Sequence, residues 1–197
     1  MALLSRRDLQ SVPLSWSTKE AALNEGRRLA STSATFDIFL SHSYRDAQSL
    51  SRDDVYQLHR LLKELNLQVY VDWIVDPELD RTDVTGATAS VVRARLNRSR
   101  SLLYATSQTS GESKWMPWEL GYADGKTSRV AILPIIDSAS DAFNGQSYLG
   151  IYPHITKRRS VGGKDVLLVI FDRHHYLGLV EWINGASVAN YFDDGFW

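Results

Sequence analysis

Apolar runs of strand length alternate along this chain with amphipathic runs of helical length, and this alternation constrains the fold more than any other feature. The clearest helical run is SRDDVYQLHRLLKELN, in which Ser51 and Asp54 have the spacing of a capping box and apolar residues recur at helical spacing. Strands connected through helices require crossover connections, which give a mostly parallel sheet covered on both faces. We therefore predict an α/β fold of this kind.

Five runs have the apolar, β-rich composition of buried strands, which predicts a five-stranded sheet. In an open parallel sheet the ligand site lies outside the carboxyl ends of the strands, so we expect it at the turns that follow the first three strands. The predicted strands are residues 36–43, 67–73, 99–107, 129–136 and 165–171, and the predicted helices between them are residues 51–66, 87–99 and 113–125.

The length of 197 residues favours one domain, which we place at residues 35–197. An N-terminal extension, residues 1–34, precedes it, and a helix is predicted there over residues 17–30. An insertion is predicted around residues 137–163, between the fourth and fifth strands. With 44% hydrophobic and 23% charged residues, the composition is typical of soluble globular proteins and indicates no particular function.

The charge balance and the lack of cysteine narrow the expected partners and compartment. A net charge of −1 gives no field to hold a polyanion, so nucleic acid is not an expected partner. The absence of cysteine excludes disulfides, zinc-thiolate sites and thiol nucleophiles, and it suits a reducing compartment. No run approaches the roughly 20 apolar residues of a membrane span. We expect a cytoplasmic protein that does not contact a membrane.

The run SKWMPWELGYADG places one carboxylate among aromatic residues. On a helix, Trp115, Glu119 and Tyr122 share a face because they are spaced by four and then three positions. One interpretation is that the aromatic residues belong to the core and that Glu119 is a surface acid near a helix N-terminus, where the helix dipole favours it. The other is that Glu119 is a functional acid in an aromatic pocket.

Three segments in order resemble the TIR (Toll/interleukin-1 receptor) domain, especially its bacterial, NAD-consuming members such as those of Thoeris antiphage defence. They are FDIFLSHSYRDA, VYVDWIVDPELDRTDVTG and SRSLLYATSQTSGESKWMPWELGYA, which together span roughly residues 35–136. The resemblance implies a flavodoxin-like fold. It also favours the functional interpretation of Glu119, because the glutamate of this helix is the catalytic residue in the family and the tryptophan one turn earlier matches Trp115.

The family cleaves the bond between nicotinamide and ribose in NAD⁺, which implies NAD⁺ as the substrate and no further cofactor. Glycoside hydrolases generally need a second carboxylate to protonate an alkoxide leaving group, whereas nicotinamide leaves as a neutral pyridine. One carboxylate, Glu119, can therefore hold the ribose and stabilise the oxocarbenium-like transition state. Trp115 and Tyr122 would offer flat surfaces for nicotinamide or adenine and would exclude water.

Further residues of the rim match the family pattern more loosely. Arg45 resembles the arginine of the turn after the first strand, which could pair with phosphate, and Ser43 and Tyr44 could line the same pocket. Asp72 and Asp76 begin the loop after the second strand, which gates the pocket in this family. The alternatives are that Arg45 is a solvated loop cation and that Asp72 bonds nearby backbone N–H groups.

Several other site classes are disfavoured. No histidine falls in a recognised metal-ligand spacing, so no metal is expected. Neither GxGxxG nor GxxxxGK[ST] occurs, which disfavours a Rossmann dehydrogenase and a P-loop enzyme. Within the insertion, Tyr148, Tyr152 and His154 precede the basic run TKRRS (156–160), which is interpreted either as a variable surface loop or as a contact for a partner or for phosphate.

The resemblance therefore implies an NAD⁺ glycohydrolase or ADP-ribosyl cyclase acting in immune or antiphage defence. Two alternatives stay open: a non-catalytic TIR adaptor and an enzyme similar to nucleoside deoxyribosyltransferases. TIR enzymes build part of the pocket from a neighbouring subunit, so we expect self-association, in which the segment 73–86 would take part. The chain leaves little room for a sensor or effector domain, so we also expect a separate effector or activating protein.

Overall fold

The computed structural model describes residues 2–11, 13–43, 50–79, 81–82, 85–107, 113–137, 147–160, 163 and 165–187. In these ranges one sheet of eight strands is flanked by helices. None of the helices there is both long enough and apolar enough to cross a bilayer. The elements in chain order are β1 (Leu4–Ser5), α1 (Arg6–Leu9), α2 (Trp16–Ala30), β2 (Phe36–Ser41), α3 (Arg52–Lys63), β3 (Val69–Tyr70), α4 (Asp72–Val75), α5 (Gly86–Asn97), β4 (Ser99–Thr106), α6 (Trp115–Thr127), β5 (Val130–Ile136), a 3₁₀ helix (Ser147–Ile151), β6 (His154–Arg159), β7 (Asp165–Ile170), β8 (Tyr176–Gly178) and α7 (Leu179–Ile183).

The strand order is β3-β2-β4-β5-β6-β7-β8, and β1 pairs with β5 beside this path. All pairings from β3 to β6 are parallel, whereas β7 and β8 are antiparallel to their neighbours. The predicted mostly parallel α/β sheet with flavodoxin-like order is confirmed. The five predicted strands are present, but β1, β6 and β8 were not predicted. The fifth place in the sheet belongs to β6, and the strand predicted at residues 165–171 lies one place further out.

Pro134 lies in the middle of β5, where a proline would normally interrupt a central strand. Here β5 changes its neighbour on one side. Ile132 donates its N–H to the carbonyl of Pro153, the residue before β6, whereas Ile135 pairs with Leu4 of β1. Pro134 falls between these two partners, so the N–H that it lacks coincides with the change of neighbour.

Two apolar cores, one on each face of the sheet, confirm that helices cover both faces. Along β4, Leu103 and Ala105 contribute to the first core, and Leu102 and Tyr104 to the second. The first core contains residues of α1, α3 and α7, and the second contains residues of α5 and α6. The helix with Glu119 therefore lies on the same face as Tyr104.

The capping predictions for two helices have different outcomes. Ser51 Oγ accepts from the Asp54 N–H at 3.1 Å while the Asp54 carboxylate accepts from the Ser51 N–H at 3.0 Å, which confirms the capping box of α3. The end predicted for α6 at Gly125 is wrong. That helix continues to Thr127, and Ser128 takes the left-handed conformation, with φ of 50°, that ends it.

The N-terminal part of the chain packs against the element that follows β3. The helix predicted over residues 17–30 runs from Trp16 to Ala30 as α2, and it lies against α4. Gly26 of α2 is buried, and a Cβ at this position would overlap the backbone carbonyl of Ile74 in α4. The absence of a side chain at position 26 therefore sets how closely α2 approaches α4.

We expect Gly26→Ala to lower the free energy of unfolding by about 2 kcal/mol, because overpacking against backbone outweighs the roughly 1 kcal/mol gain in helix propensity. Gly125→Ala in α6 is the matched control, since a Cβ there meets nothing within 4 Å. That variant should equal or exceed the stability of the parent. Urea denaturation of the three proteins measures both effects, and equal stabilisation by the two substitutions would refute the close approach.

The basic run in the predicted insertion lies in β6, so its interpretation as a loop is wrong. The backbone of Lys157 exchanges hydrogen bonds with Ala2, at 3.0 and 2.8 Å, and its ammonium pairs with Asp8. Burial alone would raise the pKa of Asp8, but Lys157 and Ser5 lower it below its ordinary value. Basic composition favours a loop locally, whereas the pairing of this run with β7 and with the N-terminal segment makes it a strand.

Candidate active site

Glu119 lies on α6 with its side chain fully buried, at 0% exposure. Ser41, the last residue of β2, donates its hydroxyl to the Glu119 carboxylate at 2.6 Å. This contact is at the carboxyl end of a parallel strand, where ligand sites of open α/β sheets lie. A fully buried carboxylate without partners would be costly, so the charge of Glu119 has to be matched within the fold.

Arg81 supplies the positive charge that pairs with Glu119, and it was not among the predicted site residues. Its guanidinium pairs with the Glu119 carboxylate and, at 2.6 Å, with the carboxylate of Asp72. Burial alone would lower the pKa of Arg81, but the charges of Glu119 and Asp72 raise it above its ordinary value. Arg81 is therefore held as a cation between the two acids.

Trp115 closes the same cluster from one side. The Arg81 guanidinium carbon lies 5.2 Å from the centroid of the Trp115 ring, which is cation–π distance. The indole N–H of Trp115 donates to the backbone carbonyl of Arg81 at 3.0 Å. Trp115 thus contacts both the side chain and the backbone of Arg81, so the family-matched tryptophan and Glu119 bind the same residue.

The strand predicted over residues 67–73 covers only Val69–Tyr70. Asp72 instead begins the one-turn helix α4. One carboxylate oxygen of Asp72 accepts from the backbone N–H of Trp73 at 2.8 Å, and the other pairs with Arg81. Burial would raise the pKa of Asp72, but His42, Arg81 and the Trp73 N–H lower it below its ordinary value. Asp72 therefore bonds a nearby backbone N–H, as the alternative interpretation predicts, and through Arg81 it also takes part in the Glu119 cluster.

Asp76 points elsewhere. Its carboxylate accepts from the Tyr70 hydroxyl at 3.0 Å and from two nitrogens of Arg95 on α5, at 2.9 and 2.6 Å. Burial, followed by the charges of Asp76 and Asp72, raises the pKa of Tyr70 well above its ordinary value. These contacts anchor the end of α4 to α5, and they do not bring Asp76 to the Glu119 carboxylate.

Tyr122 also faces away from the cluster. Its hydroxyl donates to Asn97 on α5 at 3.0 Å, and its ring stacks on Trp118 with the centroids 5.7 Å apart. Ser43 is buried just beyond the end of β2. Tyr44 and Arg45, the other two rim residues proposed from the resemblance, lie outside the described residues.

Two further tyrosines, Tyr104 and Tyr148, lie near the cluster; Tyr104 was not predicted as a site residue, and Tyr148 belongs to the predicted insertion. Tyr104 of β4 is the register partner of Ser41 of β2, and it is 2% exposed. Its hydroxyl lies 3.4 Å from that of Tyr148 in the 3₁₀ helix. Burial, the contact with Tyr148 and the charge of Glu119 raise the pKa of Tyr104 above its ordinary value, so this phenol stays protonated.

The cluster combines two buried carboxylates, Glu119 and Asp72, with the Ser41 hydroxyl that orients Glu119, the Trp115 ring and the Arg81 cation between the two acids. Such a carboxylate can stabilise a developing positive charge once the guanidinium is replaced by a ligand, because electrostatic interactions are strong where water is excluded. Among the described residues, no three histidine, aspartate or glutamate side chains come together as a metal site.

Comparison with known proteins places the chain in a family. No family model matches the chain. A probable 3′ cyclic ADP-D-ribose synthase, ThsB′, of Bacillus cereus (strain MSX-D12) is 40% identical over 150 residues, which are 75% of this chain and 75% of that protein. A candidate cyclic ADP-D-ribose synthase, TIR2, of Cytobacillus dafuensis is 30% identical over 110 residues, which are 55% of this chain but only 28% of that protein. The chain belongs to the family of bacterial Thoeris-type TIR proteins that includes ThsB′.

Proposed function

We propose that this protein is an NAD⁺-cleaving TIR enzyme of antiphage defence, with Glu119 as the catalytic residue. The observation that carries the proposal is the buried Glu119 carboxylate, which accepts a hydrogen bond from Ser41 and forms an ion pair with Arg81. The names of the two relatives, both cyclic ADP-D-ribose synthases, support the same reaction class. NAD⁺ is the substrate, and the proposed reaction uses no cofactor beyond it.

The proposed reaction needs a carboxylate placed close to the ribose, and it needs no general acid. Cleavage breaks the bond between the ribose and nicotinamide, and both electrons leave with neutral nicotinamide. Positive charge then develops on the ribose, and the Glu119 carboxylate stabilises it at short range. The ion pair of this carboxylate with Arg81 supports the proposal, because the developing sugar cation would take the place of the guanidinium.

The Glu119 carboxylate is not accessible to a ligand in this arrangement. Glu119 is fully buried, and Arg81 covers its carboxylate, so we propose that NAD⁺ reaches Glu119 only after Arg81 has moved. Self-association through the segment 73–86 and a separate activating protein or effector stay predictions, and either contact would act on the segment that holds Arg81. The cytoplasm, where NAD⁺ is present, is the expected compartment.

The finer proposal is that the product is cyclic, since this is the product class in both relatives' names. The adaptor alternative gives no chemical reason why the Glu119 carboxylate should be buried beside Ser41 at the end of β2. Buried charges are costly unless paired, and an adaptor could do without both Glu119 and Arg81. The deoxyribosyltransferase-like alternative shares the C–N bond type and differs in its substrate.

Incubation of the purified protein with NAD⁺, followed by mass spectrometry of the products, tests the proposal. We expect release of nicotinamide together with an ADP-ribose species that has lost one water relative to linear ADP-ribose, which is the mass of a cyclic product. Deoxynucleosides offered with free bases in a parallel reaction test the transferase alternative. Unchanged NAD⁺ under all triggering and concentration conditions would favour the adaptor.

A further inference from the structure

The 3₁₀ helix Ser147–Ile151 belongs to the segment treated as an insertion, yet it is attached to the helix that carries Glu119. Leu149 is 5% exposed and lies in the same core as Trp115 and Tyr104. Just after it, Tyr152 donates its hydroxyl to Asp124 of α6 at 3.1 Å. The 3₁₀ helix is therefore held in one place relative to α6.

This attachment places Tyr148 at the open end of a row of polar groups. The row consists of two hydrogen-bonded pairs, Glu119 with Ser41 and Tyr104 with Tyr148, and it is continued between them by the placement of Ser41 and Tyr104 as register partners on adjacent strands. Tyr104 is 2% exposed, whereas Tyr148 is 37% exposed. Tyr148 is consequently the member of the row that a ligand can reach from solvent.

The hydroxyls of Tyr104 and Tyr148 differ in the hydrogen-bond partners that they can reach. Tyr104 is buried and needs an acceptor for its proton, and the Tyr148 oxygen lies within hydrogen-bond distance at 3.4 Å. If Tyr104 donates to Tyr148, the proton of the partly exposed Tyr148 hydroxyl can be donated to a bound molecule. Tyr104 would then fix the direction in which Tyr148 donates.

We propose that Tyr148, positioned by Tyr104, contacts the bound dinucleotide and directs capture of the ribosyl cation towards a hydroxyl of the same molecule instead of water. This inference rests on the proposed NAD⁺-cleaving function. It makes Tyr148 a specificity-determining residue for the product and Tyr104 a positioning residue that acts through it.

The two outcomes use the same electrons and differ only in the nucleophile. After nicotinamide leaves with the electrons of the C–N bond, the ribose carbon accepts an electron pair from an oxygen, and a C–O bond forms. In cyclisation the oxygen belongs to a hydroxyl of the other ribose, and in hydrolysis it belongs to water. In both cases the proton of that oxygen passes to the Glu119 carboxylate, so no oxidant or reductant is needed. A hydrogen bond from Tyr148 to the other ribose would hold its hydroxyl over the reacting carbon and leave less room for water.

Tyr148→Phe tests the inference, because it removes one hydroxyl from a partly exposed ring and should leave the fold intact. We expect the ratio of cyclic to linear product to fall by about fivefold, the effect of one lost hydrogen bond, while total NAD⁺ consumption stays within about threefold of the parent. Tyr104→Phe should shift the ratio in the same direction by a smaller factor. Tyr176→Phe, which removes a hydroxyl from the distant edge strand β8, is the matched control and should leave the ratio unchanged.

The product ratio separates this inference from the proposed function. A parent protein that cleaves NAD⁺, with an unchanged ratio in Tyr148→Phe at whatever rate, would overturn the role of Tyr148 alone. A parent that forms only linear ADP-ribose would also overturn it, while leaving Glu119 chemistry in place. A parent that leaves NAD⁺ intact would overturn both. A merely structural role for Tyr148 would change the thermal midpoint or the rate without moving the ratio.

Discussion

Glu119→Gln is expected to slow NAD⁺ cleavage by on the order of a thousandfold, because it removes the charge that stabilises the sugar cation. The glutamine keeps the size of the side chain, and its carbonyl oxygen can still accept from Ser41. Arg81 keeps Asp72 as its partner in this variant, so the cluster loses one of two ion pairs. Nicotinamide release under saturating NAD⁺ measures the effect.

The matched control for this change is Glu64→Gln. Glu64 pairs with Arg60 on α3, and its side chain is 56% exposed, so the substitution removes the same charge far from the candidate site. It should leave turnover unchanged. Thermal unfolding of both variants shows whether they are folded. A folded Glu119→Gln protein that works at near the parent rate would exclude Glu119 as the catalytic residue.

Arg81→Ala is expected to lower the Michaelis constant for NAD⁺ in the untriggered protein by on the order of tenfold to a hundredfold. Two buried ion pairs hold Arg81 over Glu119, and the apparent affinity of a protein is its intrinsic affinity multiplied by the fraction of molecules that are open, so an open fraction of about 1–10% weakens binding by about tenfold to a hundredfold. Removing the guanidinium abolishes the contact and lets water and substrate reach Glu119. Initial rates over a range of NAD⁺ concentrations give the constant.

Arg60→Ala is the control for Arg81→Ala, because it breaks an arginine–glutamate pair at the surface of α3. It should leave the Michaelis constant unchanged, since exposed pairs contribute little. If Arg81 instead binds the phosphates of NAD⁺, the Michaelis constant of Arg81→Ala rises. The sign of the change therefore decides between a residue that closes the pocket and one that binds substrate.

Much of the fold follows from local sequence patterns. The apolar runs of β2, β4, β5 and β7 and the capping box of α3 are local signals, and the structure has elements at these places. The short strands β1 and β8 carry too few residues for a period to be recognised. β6 was not predicted because its basic residues are typical of a loop, and its antiparallel pairing with the neighbouring strand β7 has no recognisable turn motif to announce it.

The candidate site was predictable only in part. Glu119 and Trp115 share a helix, so their spacing alone brings them together. Arg81 and Tyr148 reach the cluster through contacts between distant segments, and no local period reports such contacts. One signal for Arg81 was available: it is the only basic residue in the acidic stretch IVDPELDRTDVTG.

Arg95 and Tyr70 anchor Asp76, and this anchoring limits how far the Arg81 side chain can move away from Glu119. The backbone between Asp76 and Arg81 can span at most about 17 Å, and Thr85 at the start of α5 tethers the segment from its other end. Under the proposal that Arg81 moves before NAD⁺ binds, this short connection would favour a local movement, on the nanosecond to microsecond scale of loops, over a movement of whole helices. Any molecule that triggers the protein by displacing Arg81 directly has to touch it within that radius, which confines the search for its footprint to one end of the sheet.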